Sequence, residues 1–134
     1  MNIVYKINER VTAQQYIDVL NRSTLGARRP VGDPERIQKM LDHANLLITA
    51  WDKDKLVGVS RSVTDFSFCC YLSDLAVDKA YQKKGIGKRL IELTNRESTD
   101  QSMLLLLSVP TAMDYYPSVG FEKVENGFII QRKK

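Results

Sequence analysis

The chain has 134 residues, of which 43% are hydrophobic and 27% are charged, and its formal net charge is +4. This length supports one hydrophobic core and is too short for two ordinary domains, while the composition excludes disordered, fibrous and disulfide-stapled proteins. No apolar run approaches the roughly 18 residues of a membrane-spanning helix, and the basic stretch at residues 132–134 is too short for a nucleic-acid-binding arm. We therefore expect one domain over residues 1–134 that binds neither membranes nor nucleic acid.

Two features of the sequence bear on its compartment. Residues 1–10 lack the basic-then-apolar layout of a secretory signal peptide. Cys69 and Cys70 are neighbours in an apolar run, where a disulfide between them would be strained. We expect both to be small buried thiols in a reducing, cytoplasmic protein.

The first half of the chain predicts a strand, two helices and a pair of strands. Residues 2–7 indicate a strand, and Thr12 with Gln15 three residues later forms the capping-box pattern of a helix start. Asp33 followed by Pro34 predicts the N-cap and first residue of a second helix. Two strand-like runs, residues 46–51 and 56–63, flank a polar turn and predict an antiparallel pair.

The second half predicts further strands and two helices. Residues 68–77 form a strand-like run that leads into a glycine-containing turn and an amphipathic helix. Residues 103–109 predict a strand covered on both faces, and residues 112–119 a helix. Asn126-Gly127 predicts a hairpin between residues 121–125 and 128–132.

This order of elements predicts the fold class. We expect an α/β (α+β) domain with a mixed, mostly antiparallel sheet of about six to seven strands and about four helices on both of its faces.

The glycine turn at residues 82–87 has the features of an anion-binding site. A helix that begins at such a turn presents unpaired backbone N–H groups and the positive end of its dipole. Gly85 and Gly87 leave that backbone open to a ligand, and neighbouring lysines add positive charge. The turn therefore predicts a diphosphate ligand, although two glycines could also serve only to shape a strand-to-helix turn.

Spacing argues against the two best-known phosphate loops. Gln82 stands where a P-loop requires its first glycine, and Arg89 stands where it requires a hydroxyl. Leu90 stands where a dinucleotide-binding fingerprint requires its third glycine. Neither nucleotide site is expected here.

Two blocks of the sequence resemble those of the Gcn5-related N-acetyltransferases (GNAT). Gln82-x-x-Gly85-x-Gly87, between a strand and an amphipathic helix, is similar to the family's Arg/Gln-x-x-Gly-x-Gly/Ala element. Residues 112–121, Ala-Met-Asp-Tyr-Tyr-Pro-Ser-Val-Gly-Phe, are similar to its second block, an alanine, an aromatic-Tyr pair and Gly-Phe. Both blocks occur in the family's order, and the resemblance covers the chain from Leu46 onward.

The resemblance implies acetyl-CoA as co-substrate. In this family the pantetheine arm lies along the strand before the glycine turn, which here implies Leu75, Ala76 and Val77. The residues implied around the pyrophosphate are Gln82, Lys83, Lys84, Gly85, Ile86, Gly87 and Lys88. Where many members carry an asparagine after the fifth strand this chain has Ser108, which we consider as its replacement.

The resemblance also implies direct attack of a neutral amine on the thioester in a ternary complex. Tyr116 matches the family tyrosine that protonates the departing thiolate, although from the residues alone it could be a packing residue of an apolar helical stripe. Asp74 is a candidate base for the amine, and it could instead bind a cationic acceptor or cap a turn. The backbone N–H of Leu75 or its neighbour is the implied donor to the oxyanion.

Other functions and partners stay open at this point. The domain could bind acyl-CoA without catalysis, or it could acetylate aminoacyl-tRNA as toxin-like members do, for which a charge of +4 without a basic stripe is weak support. The acceptor pocket is expected near the first two helices and the loop around residues 28–30, but the acceptor itself is not identified. An exposed strand at residues 128–132 could pair across a two-fold axis in a homodimer.

Overall fold

A computed structural model describes residues 2–134, and Met1, the first residue of the expected domain, lies outside the described residues. Its strands and helices are, in order, β1 (Ile3–Ile7), α1 (Ala13–Arg22), α2 (Pro34–His43), β2 (Leu46–Asp52), β3 (Lys55–Thr64), β4 (Cys69–Val77), α3 (Ile86–Glu97), β5 (Met103–Leu105) and α4 (Tyr115–Ser118). Short 3₁₀ turns occupy Leu25–Arg28, Lys79–Tyr81 and Pro110–Ala112.

The helix starts confirm the capping signals of the sequence. The Thr12 side chain accepts a hydrogen bond from the backbone N–H of Gln15, whose own side chain accepts from the N–H of Thr12. The Asp33 carboxylate accepts from the N–H of Arg36 at the start of α2. Side-chain caps of this kind satisfy N–H groups that a helix leaves unpaired, and each contributes about 1 kcal/mol.

The five strands form one sheet in the order β1-β2-β3-β4-β5. Every neighbouring pair is antiparallel except β4 and β5, which are parallel. The expected single α/β domain with a mixed, mostly antiparallel sheet is therefore confirmed.

The number of strands is lower than the six to seven expected. Residues 121–125 and 128–132 form no strands, and the apolar run at residues 103–109 leaves the sheet after Leu105. Phe128 and Ile130 are 100% and 98% exposed, so these side chains gain no burial. A two-stranded hairpin without a packed face is marginal in water, even with a favourable Asn-Gly turn.

Helices cover both faces of the sheet, which divides the core into two clusters. On one face α1 and α2 bury Tyr16, Leu20 and Ile37 against the sheet. On the other face α3 buries Ile86 and Leu90. The approach of α3 is close, since a Cβ at Gly58 of β3 would lie only 3.2 Å from Leu90 Cδ1 and 3.3 Å from Ile86 Cγ2.

The two cysteines lie on opposite faces of β4. Cys70 is buried and Cys69 is exposed, as the alternation of a strand requires. The expectation of two buried thiols is therefore correct for Cys70 only. Within residues 2–134, no helix is both long and apolar enough to cross a membrane.

Candidate functional site

A cleft opens in the sheet where β5 separates from β4. β5 pairs with β4 only at residues 69–71. Among the described residues 2–134, the rest of β4, residues 72–77, has β3 as its neighbour on one side and no strand on the other. Backbone groups on an open edge of this kind can pair with an extended ligand.

A β-bulge in β4 accompanies this separation. Arg61 of β3 lies opposite Asp74, and the next residue, Ser62, lies opposite Leu72, so Ser73 has no partner on β3. An extra residue bends a strand and re-aims the side chains around it. Here the bend lies in the part of β4 that faces the cleft.

The cleft continues into a cavity of about 520 Å³, a typical size for a cofactor or small-molecule site. Its walls are the open edge of β4, the glycine turn with the start of α3, the segment after β5 with α4, and the loop after α1. The polar residues that line it are Ser23, Thr24, Arg29, Ser73, Tyr81, Gln82, Lys83, Lys88, Tyr115 and Tyr116. Within residues 2–134, no aspartate, glutamate or histidine is part of this lining.

The glycine turn has the backbone geometry that a phosphate site needs. Gly85 is the N-cap of α3 with a φ of 82°, and Lys83 also has a positive φ of 64°. A side chain at Gly85 would be strained by this φ, whereas a Cβ at Gly87 would lie 2.8 Å from the Tyr115 hydroxyl oxygen. The first N–H groups of α3 have no partner within the helix, and the residues that carry them line the cavity.

Contacts on both sides fix the position of this turn. Ile86 is buried in the core below α3, and the Tyr81 hydroxyl donates a hydrogen bond to Asp52 over 2.6 Å. Gln82 Nε2 donates to the carbonyl oxygen of Val77 over 3.1 Å, which ties the turn to the end of β4. The turn is thus held at its start and at its end before any ligand binds.

Most of the residues that the resemblance implied for the coenzyme line the cavity. Lys84 and Ser108 do not line it, and the Ser108 hydroxyl instead donates to the carbonyl oxygen of Val109 over 2.7 Å. The lining members of that set are Leu75, Ala76, Val77, Gln82, Lys83, Gly85, Ile86, Gly87 and Lys88.

Two neighbouring tyrosines of α4 also reach the cavity. Tyr116 packs edge-to-face against Tyr115, with ring centroids 5.3 Å apart, and against Phe121, at 5.5 Å. Burial raises the pKa of Tyr116 and the neighbouring Tyr115 adds to the rise, while the positive charge of Arg29 opposes it. Tyr116 is therefore a protonated phenol at neutral pH. No local signal in the sequence indicates that the Tyr115 hydroxyl lies close to Gly87.

Asp74 lies behind the cavity wall rather than in it. Its side chain is fully buried, and its Oδ1 accepts from Arg29 Nε over 2.6 Å. Its Oδ2 accepts from Arg61 Nε over 2.6 Å and from the Tyr16 hydroxyl over 2.7 Å. Although burial alone would raise the pKa of Asp74, its bonds to Arg61 and Arg29 lower it. Both oxygens are thus engaged, and the structure does not present Asp74 to an acceptor as a free base.

Arg29 connects this buried carboxylate to the cavity. Besides its bond to Asp74, its guanidinium donates to the carbonyl oxygens of Ser73 over 2.7 Å and of Arg28 over 2.8 Å. The sequence places Arg29 in the loop around residues 28–30, where the acceptor pocket is expected, but does not indicate its bond to Asp74. A buried aspartate requires cationic partners, but only the fold shows that Arg29 and Arg61 supply them while Arg28 is exposed.

Comparison with known proteins gives one family. Residues 25–131 match the model of the acetyltransferase (GNAT) domain. An uncharacterized ycf52-like N-acetyltransferase from Prochlorococcus marinus is 28% identical over 111 residues, covering 78% of this chain and 60% of that protein. The chain therefore spans less than two thirds of this relative.

Solved structures show the same fold. A probable acetyltransferase of unknown function from methicillin-resistant Staphylococcus aureus has a TM-score of 0.81 at 23% identity, covering 98% of this chain and 100% of that one. An aminoglycoside N-acetyltransferase solved in complex with CoA has a TM-score of 0.74 at 13% identity, covering 99% and 96%. With the family model matching most of its length, this chain belongs to the GNAT acetyltransferase family.

Proposed function

We propose that residues 1–134 form one acetyltransferase domain that moves an acetyl group from acetyl-CoA to an amine of a small molecule or peptide. The observation that carries this proposal is the cavity in which the open edge of β4, the start of α3 and Tyr116 meet. These surfaces suit, respectively, an extended pantetheine arm, a diphosphate and a leaving thiolate that needs a proton. The CoA complex of the structurally similar aminoglycoside N-acetyltransferase supports the same coenzyme.

The coenzyme site is proposed to use mainly the backbone. The arm would pair with the open backbone groups of Leu75, because the backbone groups of Ala76 point toward Val59 of β3 and the carbonyl of Val77 already accepts from Gln82. The pyrophosphate would bind the first N–H groups of α3, with Lys83 and Lys88 supplying positive charge. Binding of the coenzyme by Lys84 and Ser108 stays a prediction. Because neither residue lines the cavity, any role of theirs in coenzyme binding would be indirect.

Tyr116 is proposed as the general acid. Acetyl-CoA supplies an activated acetyl thioester, whose thiol has a pKa of about 8.5 when free, against about 10 for a tyrosine. Because burial raises the pKa of Tyr116, this phenol holds its proton until a thiolate forms beside it. The N–H of Leu75 or its neighbour is proposed to donate to the oxyanion of the attacked carbonyl.

Asp74 is proposed to position other groups rather than to act as the base. Its oxygens bind Arg29, Arg61 and Tyr16, so it orients Arg29 at the cavity wall. The proton of the incoming amine would then leave through water, because the cavity lining formed by the described residues offers no carboxylate or imidazole. The neutral amine would then attack the thioester directly within one ternary complex.

One observation favours a second candidate function, an acyl-CoA-binding domain without catalysis. The described cavity lining contains no carboxylate or imidazole, and this would suit a protein that holds the coenzyme without activating an acceptor. The two functions differ in whether any amine accelerates thiol release from acetyl-CoA.

The test measures thiol release from acetyl-CoA across a panel of amines, together with calorimetric binding of CoA. We expect Tyr116→Phe to lower kcat by about 100-fold, a typical loss for a general acid, with unchanged CoA affinity. The matched control is Tyr71→Phe on β4, outside the cavity. Tight CoA binding with no amine-dependent release would support the binding domain, and an unaltered kcat in Tyr116→Phe would remove the assigned acid.

Two further proposals concern partners and location. We propose a homodimer, because among the described residues β5 has a strand neighbour on one side only and Met103 and Leu105 are exposed there.

We also propose a cytoplasmic location, to which the free thiols of Cys69 and Cys70 are suited.

A further inference from the structure

The guanidinium of Arg29 is held rigidly and keeps donors available. A guanidinium has five N–H donors, and three of them serve Asp74, the Ser73 carbonyl and the Arg28 carbonyl. The other two have no partner among residues 2–134. The side chain is 23% exposed and lines the cavity, so these two donors are preorganised beside any molecule that enters.

The charges around Arg29 do not cancel. Asp74 is shared between Arg29 and Arg61, at 2.6 Å from each, and the third group on it, Tyr16, is a neutral phenol. One positive charge therefore remains on this cluster. The part of the cavity wall that the structure describes carries no carboxylate to balance it.

Arg29 also lies near the proposed reaction centre. Its bond to the carbonyl of Ser73 fixes it two residues before Leu75 on β4, which is about 7 Å along a strand. The influence of its charge on Tyr116 agrees with this placement. Lys83 and Lys88 belong to the turn at the other end of β4, where the pyrophosphate is proposed to bind.

We propose that the acetyl acceptor is an amine that carries a carboxylate one or two carbons away, and that Arg29 binds this carboxylate. This inference rests on the proposed acetyl transfer and names the class of its second substrate. An arginine fork matches a carboxylate with two parallel charge-assisted hydrogen bonds. A polycationic acceptor such as an aminoglycoside would meet like charge at this wall and find no carboxylate in its described part.

The experiment compares amino acids with their carboxamides, which keep the amine and lose the negative charge. Thiol release is measured for leucine, methionine and phenylalanine and for each amide, with rates expressed per concentration of neutral amine. We expect kcat/KM to favour the acid by about 10- to 100-fold, the range for hydrogen bonds to a charged group. In parallel, calorimetry measures acid and amide binding to protein saturated with CoA, which cannot react.

Arg29→Gln should raise KM for the acids about 10- to 100-fold and leave KM for the amides unchanged. Asp74 keeps Arg61 and Tyr16 in this variant. The matched control is Arg28→Gln, which removes the same charge from an exposed neighbour and should keep the preference. Arg29→Lys retains the charge and a partner for Asp74, and it should keep part of the preference if Arg29→Gln fails to fold.

Three results overturn the inference: equal binding of acids and amides, an equal loss of kcat for both in Arg29→Gln, or a preference for an aminoalkylphosphonate over the carboxylate. The second would mean that Arg29 acts only through the fold or through Tyr116. Acids that bind more tightly than amides to the CoA complex, but are not acetylated, would support carboxylate binding by Arg29 and contradict the proposed transfer. The two proposals therefore fail on different measurements.

Discussion

Asp74 lies outside the cavity lining and binds one of the residues that form it, Arg29. It is buried with two arginines and a tyrosine hydroxyl on its oxygens. Such a cluster is costly to desolvate, and its value lies in fixing geometry rather than in net stability. Here the fixed group is Arg29, whose position at the cavity wall depends on Asp74 from behind.

Replacement of this carboxylate alone should nevertheless lower the stability of the protein, because it leaves the two arginines without their counter-charge. In Asp74→Asn two buried or half-buried guanidinium groups lose their counter-charge, and loss of one partner from a buried ion pair costs on the order of 3–5 kcal/mol. We expect the free energy of unfolding, measured in urea, to fall by about 3 kcal/mol. The control is Asp42→Asn on the exposed side of α2, where a change below about 0.5 kcal/mol is expected.

Acid titration of the same pair of proteins tests the charge itself. The pKa of folded Asp74 is lowered because Arg61 and Arg29 outweigh burial, so its stabilisation is present above the unfolded pKa of about 3.9. It is lost as the pH falls through the lower folded pKa. Asp65, whose pKa is lowered to about 2 by backbone hydrogen bonds from Cys69, Ser67 and Phe68, contributes to both proteins alike. The difference in the free energy of unfolding between wild type and Asp74→Asn should therefore become smaller below about pH 4. A difference that does not change with pH would mean that packing alone causes it.

The start of α3 is the element on which coenzyme binding is proposed to depend. A Cβ at Gly87 would lie 2.8 Å from the Tyr115 hydroxyl oxygen, so Gly87→Ala must displace this ring, which is part of the cavity wall. The fold should tolerate this, because the end of a side chain can move and alanine favours a helix. We expect CoA affinity to fall about 10-fold, or about 1.4 kcal/mol, with little change in the melting temperature.

The Gly87→Ala/Tyr115→Phe double variant tests the cause. Removal of the hydroxyl relieves the contact, so CoA affinity, measured by calorimetry, should return most of the way to the wild-type value. Gly127→Ala serves as control, since a Cβ there meets nothing within 4 Å. If the double variant binds CoA as poorly as Gly87→Ala, then Cβ itself blocks the backbone donors and Tyr115 is not involved.

Elements with local signals could be predicted from the sequence, and those that depend on distant partners could not. The capping box at Thr12 and the glycine at residue 85 act within one helical turn, and both are present. Asn126-Gly127 is an equally strong local signal, but a hairpin also needs a face to pack on, and Phe128 lies fully exposed.

The residues of the candidate site also differ in whether local sequence or distant partners determine their positions. The glycine turn is contiguous, so its pattern was visible in the sequence. The partners of Asp74, by contrast, lie 45 and 58 residues away at Arg29 and Tyr16, and no sequence spacing indicates them. The sequence therefore presents Asp74 as a candidate base, whereas only the fold reveals that both of its oxygens are engaged.

At the scale of the whole molecule, the two edges of the sheet differ. Next to β5, Val63, Tyr71 and Leu105 lie in register across three strands, and they are 50%, 39% and 36% exposed. Open edges beside apolar side chains favour pairing with another chain. The other edge, β1, also exposes Val4, but no comparable row across strands accompanies it.

This asymmetry predicts which edge carries the proposed dimer. If two copies associate through β5, Met103→Glu places two charges close together across a two-fold axis and should shift the protein toward monomers. Val4→Glu puts the same charge on the β1 edge, where the side chain is similarly exposed at 53% against 58% for Met103, and should leave the dimer intact. Sedimentation equilibrium over a range of protein concentrations measures both variants beside wild type. Equal weakening by the two variants would mean that neither edge is specific, whereas loss of the dimer in Val4→Glu alone would move the interface to β1.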